Sequence, residues 1–289
     1  MSPGAGAGQP PPAIAPAEPS TFRKAMRQKR FTVGLGITVL LVAFVVIAPY
    51  LAPFGENEVA GPPFGKDGVF GTDYLGQDVL SRLMFGGTSI LVIAVFGTLL
   101  GMVLGILIGV VAAYAGGWWD EVIMRANDVV LSFPQILLAL VVLTAIEQPT
   151  AWILILLVGV SHAPRVARLA RGVALGIVSR DFVVAAEALG EKRSRVILVE
   201  VLPNMNAPLL AEGGLRLTYS IGLVGSLGFL GFSTDPGAAN WGQMIQENRL
   251  ALSTQPWAVL APVLVIAIFA IGTNLMADGI AQVAQRGDN

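Results

Sequence analysis

The chain has no cysteine and a single histidine among 289 residues. A disulfide framework, a thiolate metal site and a cysteine nucleophile are therefore excluded, as is a multi-histidine metal centre. Charge is also scarce. Asp, Glu, Lys and Arg make up 13% of the residues, against roughly 25% in a soluble domain. The net charge of −1 leaves no basic excess for a nucleic-acid face. No G-x-x-x-x-G-K-[ST] run occurs, so the chain lacks a phosphate-cradling loop. What it does have is apolar: hydrophobic residues reach 54% and mean hydropathy is +0.71. Its 34 glycines follow no G-x-y period, which excludes collagen. The balance is that of an all-α, polytopic membrane protein.

A bilayer core takes about 20 apolar residues per helix. Six stretches qualify as transmembrane helices, at 32–51, 88–114, 122–145, 151–169, 208–232 and 257–279. They are long and lack two-residue alternation, so helices and not a barrel are expected. The first follows the basic run RKAMRQKR and has the look of a signal peptide. Its length, and Pro49 and Pro53 where a cleavage site would sit, favour a retained span.

Orientation follows from the cations. With the N-terminus inside, the inner segments hold Arg23, Lys24, Arg27, Lys29, Arg30, Arg125, Arg165, Arg168, Arg171, Arg180, Lys192, Arg193 and Arg195, with Arg216 and Arg286 near helix ends. Only Lys66, Arg82 and Arg249 fall outside. Both termini are expected in the cytoplasm. The expected layout begins with a disordered, basic tail over 1–31 and a first transmembrane helix over 32–51. An extracytoplasmic loop over 52–87 and a core over 88–279 follow, then a short cytoplasmic tail over 280–289.

Gly97, Gly101, Gly105 and Gly109 repeat every four residues, and Gly222, Gly225, Gly228 and Gly231 every three. Small residues let helices approach closely in lipid. Each stripe therefore serves either packing within the subunit or a face toward a partner or passage. Asp128, Glu212, Arg216 and Asp278 lie near predicted helix ends and read as interfacial anchors, with Glu212 and Arg216 able to pair at i, i+4. No span carries the row of ionisable residues expected of a proton relay, so energy is expected to enter elsewhere.

The stretch RVARLARGVALGIVSRDFVVAAEALGEKRSRVILVEVLPNMNAPLL separates the fourth and fifth spans. Ser179 is placed to cap a new helix, with Asp181 in its first turn. Phe182, Ala185, Ala186 and Leu189 share a face, and Gly190 supplies a stop. After EKRSR, a second apolar run from Val196 to Leu202 ends at Pro203. The result is a helix, a glycine turn and a second helix projecting from the bilayer. An amphipathic loop resting on headgroups would explain its charges. It would not explain small alanines on the apolar face, which suit docking into a protein groove.

This stretch resembles the EAA loop of bacterial ABC importer permeases, the pattern E-A-A-x-x-x-G followed by nine residues and I-x-L-P. Ala185, Ala186, Gly190, Leu202 and Pro203 match it. Val184 replaces the glutamate and Glu200 the isoleucine, with Glu187 a substitute source of charge. FGTDYLGQDVLSRLMFGG, AAYAGGWWDEVIMRANDVVLSFPQILLAL, SLGFLGFSTDPGAANWGQMI and NLMADGI extend the likeness over nearly the whole chain after residue 22. Together they resemble the C-type inner-membrane permease of dipeptide and oligopeptide ABC importers. Gln77 stands where an arginine is usual, and the tail after Asp278 is degenerate.

The resemblance implies a type I ABC importer permease fold in the bacterial plasma membrane. It also implies four kinds of partner: a homologous B-type permease, two ATP-binding subunits, an extracytoplasmic peptide-binding protein and a peptide substrate. ATP and Mg are used by the ATPase partners, while this chain holds no cofactor or metal and is not an enzyme. Val184, Ala185, Ala186, Glu187, Leu189, Gly190, Leu202 and Pro203 become the candidate coupling residues. Between the outer loops, the segment Thr72 to Met84 is expected to form an amphipathic helix with an Asp78–Arg82 pair. Asp73, Asp78 and Trp241 are candidates for docking the binding protein, with interfacial anchoring the alternative for the tryptophan. Nickel and glutathione importers use similar permeases, and a gradient-driven carrier is a further alternative. An intramembrane hydrolase would have to use Ser161 and His162, which as helix neighbours point about 100° apart.

Overall fold

A computed structural model describes residues 24–146, 148–234 and 237–286, excluding the side chains of 284–286. Most of the expected N-terminal tail and the last three residues of the C-terminal one lie outside it. Among the described residues there is no strand, only the isolated bridges Val59–Gln77 and Thr72–Asp78. The α-helices are α1 Lys29–Ile47, α2 Val79–Phe85, α3 Gly87–Ala115, α4 Gly117–Ser132, α5 Gln135–Thr144, α6 Ala151–Val178, α7 Asp181–Ala188, α8 Arg193–Val196, α9 Leu202–Asn204, α10 Asn206–Phe229, α11 Trp241–Asn248 and α12 Trp257–Arg286.

Four helical segments are long and apolar enough to cross a membrane: Lys29–Leu51, Val79–Ala115, Ala151–Val178 and Trp257–Val283. The expected span at 122–145 is instead two helices, α4 and α5, which meet at 77°. The cause is local. Pro134 has no N–H to donate, and it holds Phe133 in an extended conformation (φ −88°, ψ 131°). Counted together, the pair makes a fifth crossing. α10 carries Glu212 and Arg216 in its interior and does not reach the same apolarity.

α3 and α6 form the most extensive helix pair, followed by α10 with α12 and α12 with α1. The main core gathers Ile90, Ile93, Leu154, Val158, Ile221 and Phe269 from α3, α6, α10 and α12, with Trp241 at one end. A second cluster, at the opposite end, joins Ala170 and Ala174 of α6 to Val183, Val196, Val201 and Met205. The seam between α1 and α12 depends on glycines that the sequence reading did not single out. A Cβ on Gly34 would stand 2.5 Å from Met276 N, and one on Gly279 would stand 2.5 Å from Phe31 Cβ. Neither contact is tolerable, so the two backbones touch only because both positions are glycine.

Candidate functional site

Three regions bear on function: the α7–α9 unit, the opposite end of the bundle, and the two glycine stripes.

The α7–α9 unit is built on a buried apolar base. α6 stops at Ser179, and the hydroxyl points back to Gly176 O at 3.5 Å, so it does not cap α7 as expected. Arg180 is the extended residue before α7, and Asp181 sits in the first turn, where the helix dipole favours a carboxylate. α7 closes in a Schellman arrangement. Glu191 N donates to Ala186 O at 3.2 Å and Gly190 N to Glu187 O at 3.0 Å, with Gly190 at φ +83°. The returning half of the unit is irregular. Between α8 and α9 lies a π turn, Ile197–Val201, in which the Leu202 amide bonds five residues back to Ile197 O. Pro203 has no amide to donate just beyond, and Asn204 Nδ2 donates to Glu200 O at 2.6 Å.

The apolar residues of the unit divide cleanly. Val183, Val196 and Val201 are buried against α6, whereas Val184, Leu189, Leu198 and Val199 are more than half exposed. Ala185, Glu187, Gly190 and Pro203 are exposed as well, while Ala186 and Leu202 are half-buried. A groove of about 200 Å³ runs between Ala186 and Leu189 on one side and Val196 and Val199 on the other. Its rim holds the Glu191–Arg195 ion pair. Glu187 and Arg193 both lie close to Tyr114, at the end of α3. The lower half of α6 is clamped to α4 by charge. Arg171 grips Asp120 through two contacts of 2.5 Å, and Arg168 reaches Asp128 at 2.5 Å.

The opposite end is a cap in which two distant loops are tied together. Arg82 lies 2.6 Å from Asp73 and 3.0 Å from Glu247, all three with little exposure. Tyr74 N donates to Asn248 Oδ1 at 3.1 Å, Gln255 Nε2 to Gly65 O at 2.9 Å, and Ala239 N to Glu56 Oε1 at 2.7 Å. Phe70 stacks on Trp257 with centroids 5.3 Å apart. Burial and the nearby Glu247 carboxylate raise the Tyr74 phenol above its ordinary pKa.

These contacts revise two sequence expectations. The helix starts at Val79 and not at Thr72, because Asp78 caps it by accepting from Ser81 N at 2.8 Å. Arg82 turns from Asp78 to Asp73 and Glu247, a choice the local spacing does not reveal. The proposed docking residues Asp73, Asp78 and Trp241 are each at most 4% exposed. Trp241 is fixed by its indole donating to Leu83 O at 2.8 Å. In this conformation the three build the cap, and the surface around them belongs to other residues.

The glycine stripes have different surroundings. A Cβ on Gly97 would stand 2.6 Å from Val158 Cγ1, on Gly105 2.4 Å from Val166 Cβ and on Gly109 2.4 Å from Ala167 O. The α3 stripe thus lies directly against α6. In the second stripe, Gly222 on α10 and Gly231 just beyond its end have nothing within 4 Å of a notional Cβ, Gly225 has only ordinary contacts, and Gly228 alone is tight, against Asn240. Gly222 and Gly225 line an apolar groove of about 580 Å³ with Ser226, Phe229, Ile266 and Ala270. The Glu212–Arg216 pair is formed, at 2.8 Å, but it is buried inside α10 and does not anchor a helix end. Ser161 and His162 do not meet. Ser161 Oγ donates to Val158 O at 2.8 Å, while His162 faces Ser220. The hydroxyl beside the imidazole is thus that of Ser220, 2.9 Å from Nε2 and without exposed surface, and not that of Ser161.

A helical membrane bundle with a projecting helix–glycine–helix unit fits a transport permease, and the comparisons with known proteins give that class. Residues 101–287 match the binding-protein-dependent transport system inner membrane component, and residues 20–63 match the N-terminal transmembrane domain of oligopeptide transport permease C. The chain belongs to this permease family, in the C-type branch of dipeptide and oligopeptide ABC importers.

Among its relatives, the dipeptide transport system permease protein of Alkalihalophilus pseudofirmus is 31% identical over 281 residues, covering 94% of this chain and 91% of the relative. The dipeptide transport system permease protein of Haemophilus influenzae is 34% identical, covering 86% and 87%. A glutathione transport system permease protein of Shigella dysenteriae is 31% identical, covering 90% and 87%. In fold, the chain is similar to one from the MetNI methionine ABC transporter in its inward-facing conformations. The TM-score is 0.54 at 17% identity, over 69% of this chain and 96% of the other. The chain is thus an integral inner-membrane, non-enzymatic permease component of an ABC importer.

Proposed function

We propose that this permease imports dipeptides or oligopeptides, with α7–α9 as the seat of an ATP-binding partner. The observation that carries this reading is the exposed apolar face of that unit. Val184, Leu189, Leu198 and Val199 project from a firmly packed base that is continuous with α6 on one side and α10 on the other. Such a face is what a groove on a second protein buries, and force applied there reaches two long helices directly. Ala185, Ala186, Glu187, Gly190, Leu202 and Pro203 form the rest of the seat.

In this reading the chain crosses the membrane six times, with α4–α5 as a broken span and α10 as the sixth, and both termini face the cytoplasm. A homologous permease supplies the other half of the pathway. The open side of α10, where Tyr219, Gly222, Ser226 and Phe229 are exposed or half-exposed, faces the passage. ATP and Mg are used by two partner subunits, and a binding protein delivers peptide to the cap. Peptide is favoured as cargo because the dipeptide permeases are relatives along nearly their whole length. Glutathione is the second reading, on the strength of the Shigella relative. Reconstituting the full assembly and following uptake of labelled dipeptide, glutathione and nickel decides among them. ATP-dependent dipeptide uptake is expected; uptake driven by a proton gradient without ATP would overturn the proposal.

A further inference from the structure

Four helices of the bundle meet at one buried imidazole. His162, on α6, has no exposed surface. Its Nε2 lies 2.9 Å from Ser220 Oγ on α10, and that hydroxyl lies 2.7 Å from Thr98 Oγ1 on α3. On the other side of the ring, Gln135 Nε2 of α5 approaches Nδ1 at 3.4 Å and also donates to Ser161 Oγ at 2.7 Å. An amide donating to Nδ1 places the ring hydrogen on Nε2, which then donates to Ser220, and Ser220 donates onward to Thr98. A single tautomer satisfies the whole chain of groups. α3 comes close enough only because residue 101 is glycine: a Cβ there would stand 2.9 Å from His162 Cβ.

The position of this node in the chain gives it meaning. α6 enters the α7–α9 unit and α10 leaves it, so the His162–Ser220 bond joins the two helices that flank that unit. Gln135 is the first residue of α5, immediately after the Phe133–Pro134 break. A displacement of α6 is therefore handed by the imidazole to α10 and α3, and across the break to α5. α3 is packed on α6 along its glycine stripe in any case, so the node matters most for α10 and α5, in a lipid surround where polar contacts and close packing decide helix association.

We propose that His162 is a positioning residue for transport, tying the flanking helices and the broken span so that they move as one. The inference rests on the permease reading above. Its test uses the complete importer in proteoliposomes, with dipeptide uptake and ATP hydrolysis measured together. H162F keeps the ring volume without the hydrogen bonds. It is expected to retain at least half of the ATP hydrolysis while uptake per ATP falls about tenfold, the scale of one net hydrogen bond. H162Q, which can still donate and accept, is expected to recover most of that loss. S220A is expected to mimic H162F and to add little to it in the double variant.

Unchanged uptake per ATP in H162F would overturn the proposal. Loss of assembly with the partner subunits in H162F, H162Q and S220A alike would also overturn it, by making the node purely architectural. If the wild-type assembly showed no ATP-driven uptake, the permease reading itself would fail and this inference with it.

Discussion

The two glycine stripes use the same residue for opposite ends. A step of four residues turns a helix by about +40° and a step of three by about −60°. Gly97 to Gly109 therefore drifts slowly in one sense, whereas Gly222 to Gly228 shifts faster per step in the other, and Gly231 lies beyond the end of the helix. The surroundings differ as well. The first stripe is filled by the backbone and side chains of α6, while the second opens on a groove at Gly222 and turns the chain at Gly231, where φ is +91°. Glycine content alone does not separate a seam from an opening; what packs against each glycine does.

Enlarging a glycine in each stripe is the direct way to break this comparison. The largest effect is expected for Gly105→Leu, whose Cβ alone would stand 2.4 Å from Val166 Cβ. It should destabilise the purified protein by about 3 kcal/mol, read as a large fall in thermal midpoint and in membrane yield. Gly222→Trp should leave the thermal midpoint in place, since a Cβ there meets nothing within 4 Å, yet reduce uptake severely if that face lines the passage. Equal destabilisation by the two would erase the distinction. The smallest effect sharpens it at a third glycine. Gly190→Ala meets no neighbour but must adopt φ +83°, a cost of about 1 kcal/mol, which should appear as weakened ATPase docking with membrane insertion unaltered.

How much of this was legible in the sequence varies with the range of the forces involved. The Gly190 stop and the small-residue face of α3 are written in local spacing, although the neighbour that fills that face, α6, is not. The break at Phe133–Pro134 was masked by the apolar run on both sides, although Pro134 was in plain view. The start of α2 is set locally, by the Asp78 cap on Ser81 N, whereas the ion-pair partner of Arg82, Glu247, lies 165 residues away. The docking candidates Asp73, Asp78 and Trp241 were singled out by residue type, but their burial depends on contacts across the chain. Likewise, Ser161 and His162 were weighed as neighbours, while the relevant partner of the imidazole, Ser220, lies 58 residues on.

The cap has a consequence for biogenesis. Its bonds from Glu56 to Ala239, Tyr74 to Asn248 and Gly65 to Gln255 span 174 to 190 residues. At ribosomal speed the early loop must wait about 10–40 s for its counterpart to emerge. Throughout that interval Asp73 and Arg82 are held without Glu247, so the newborn polypeptide is exposed to quality-control proteases until its last hydrophobic segment has been threaded.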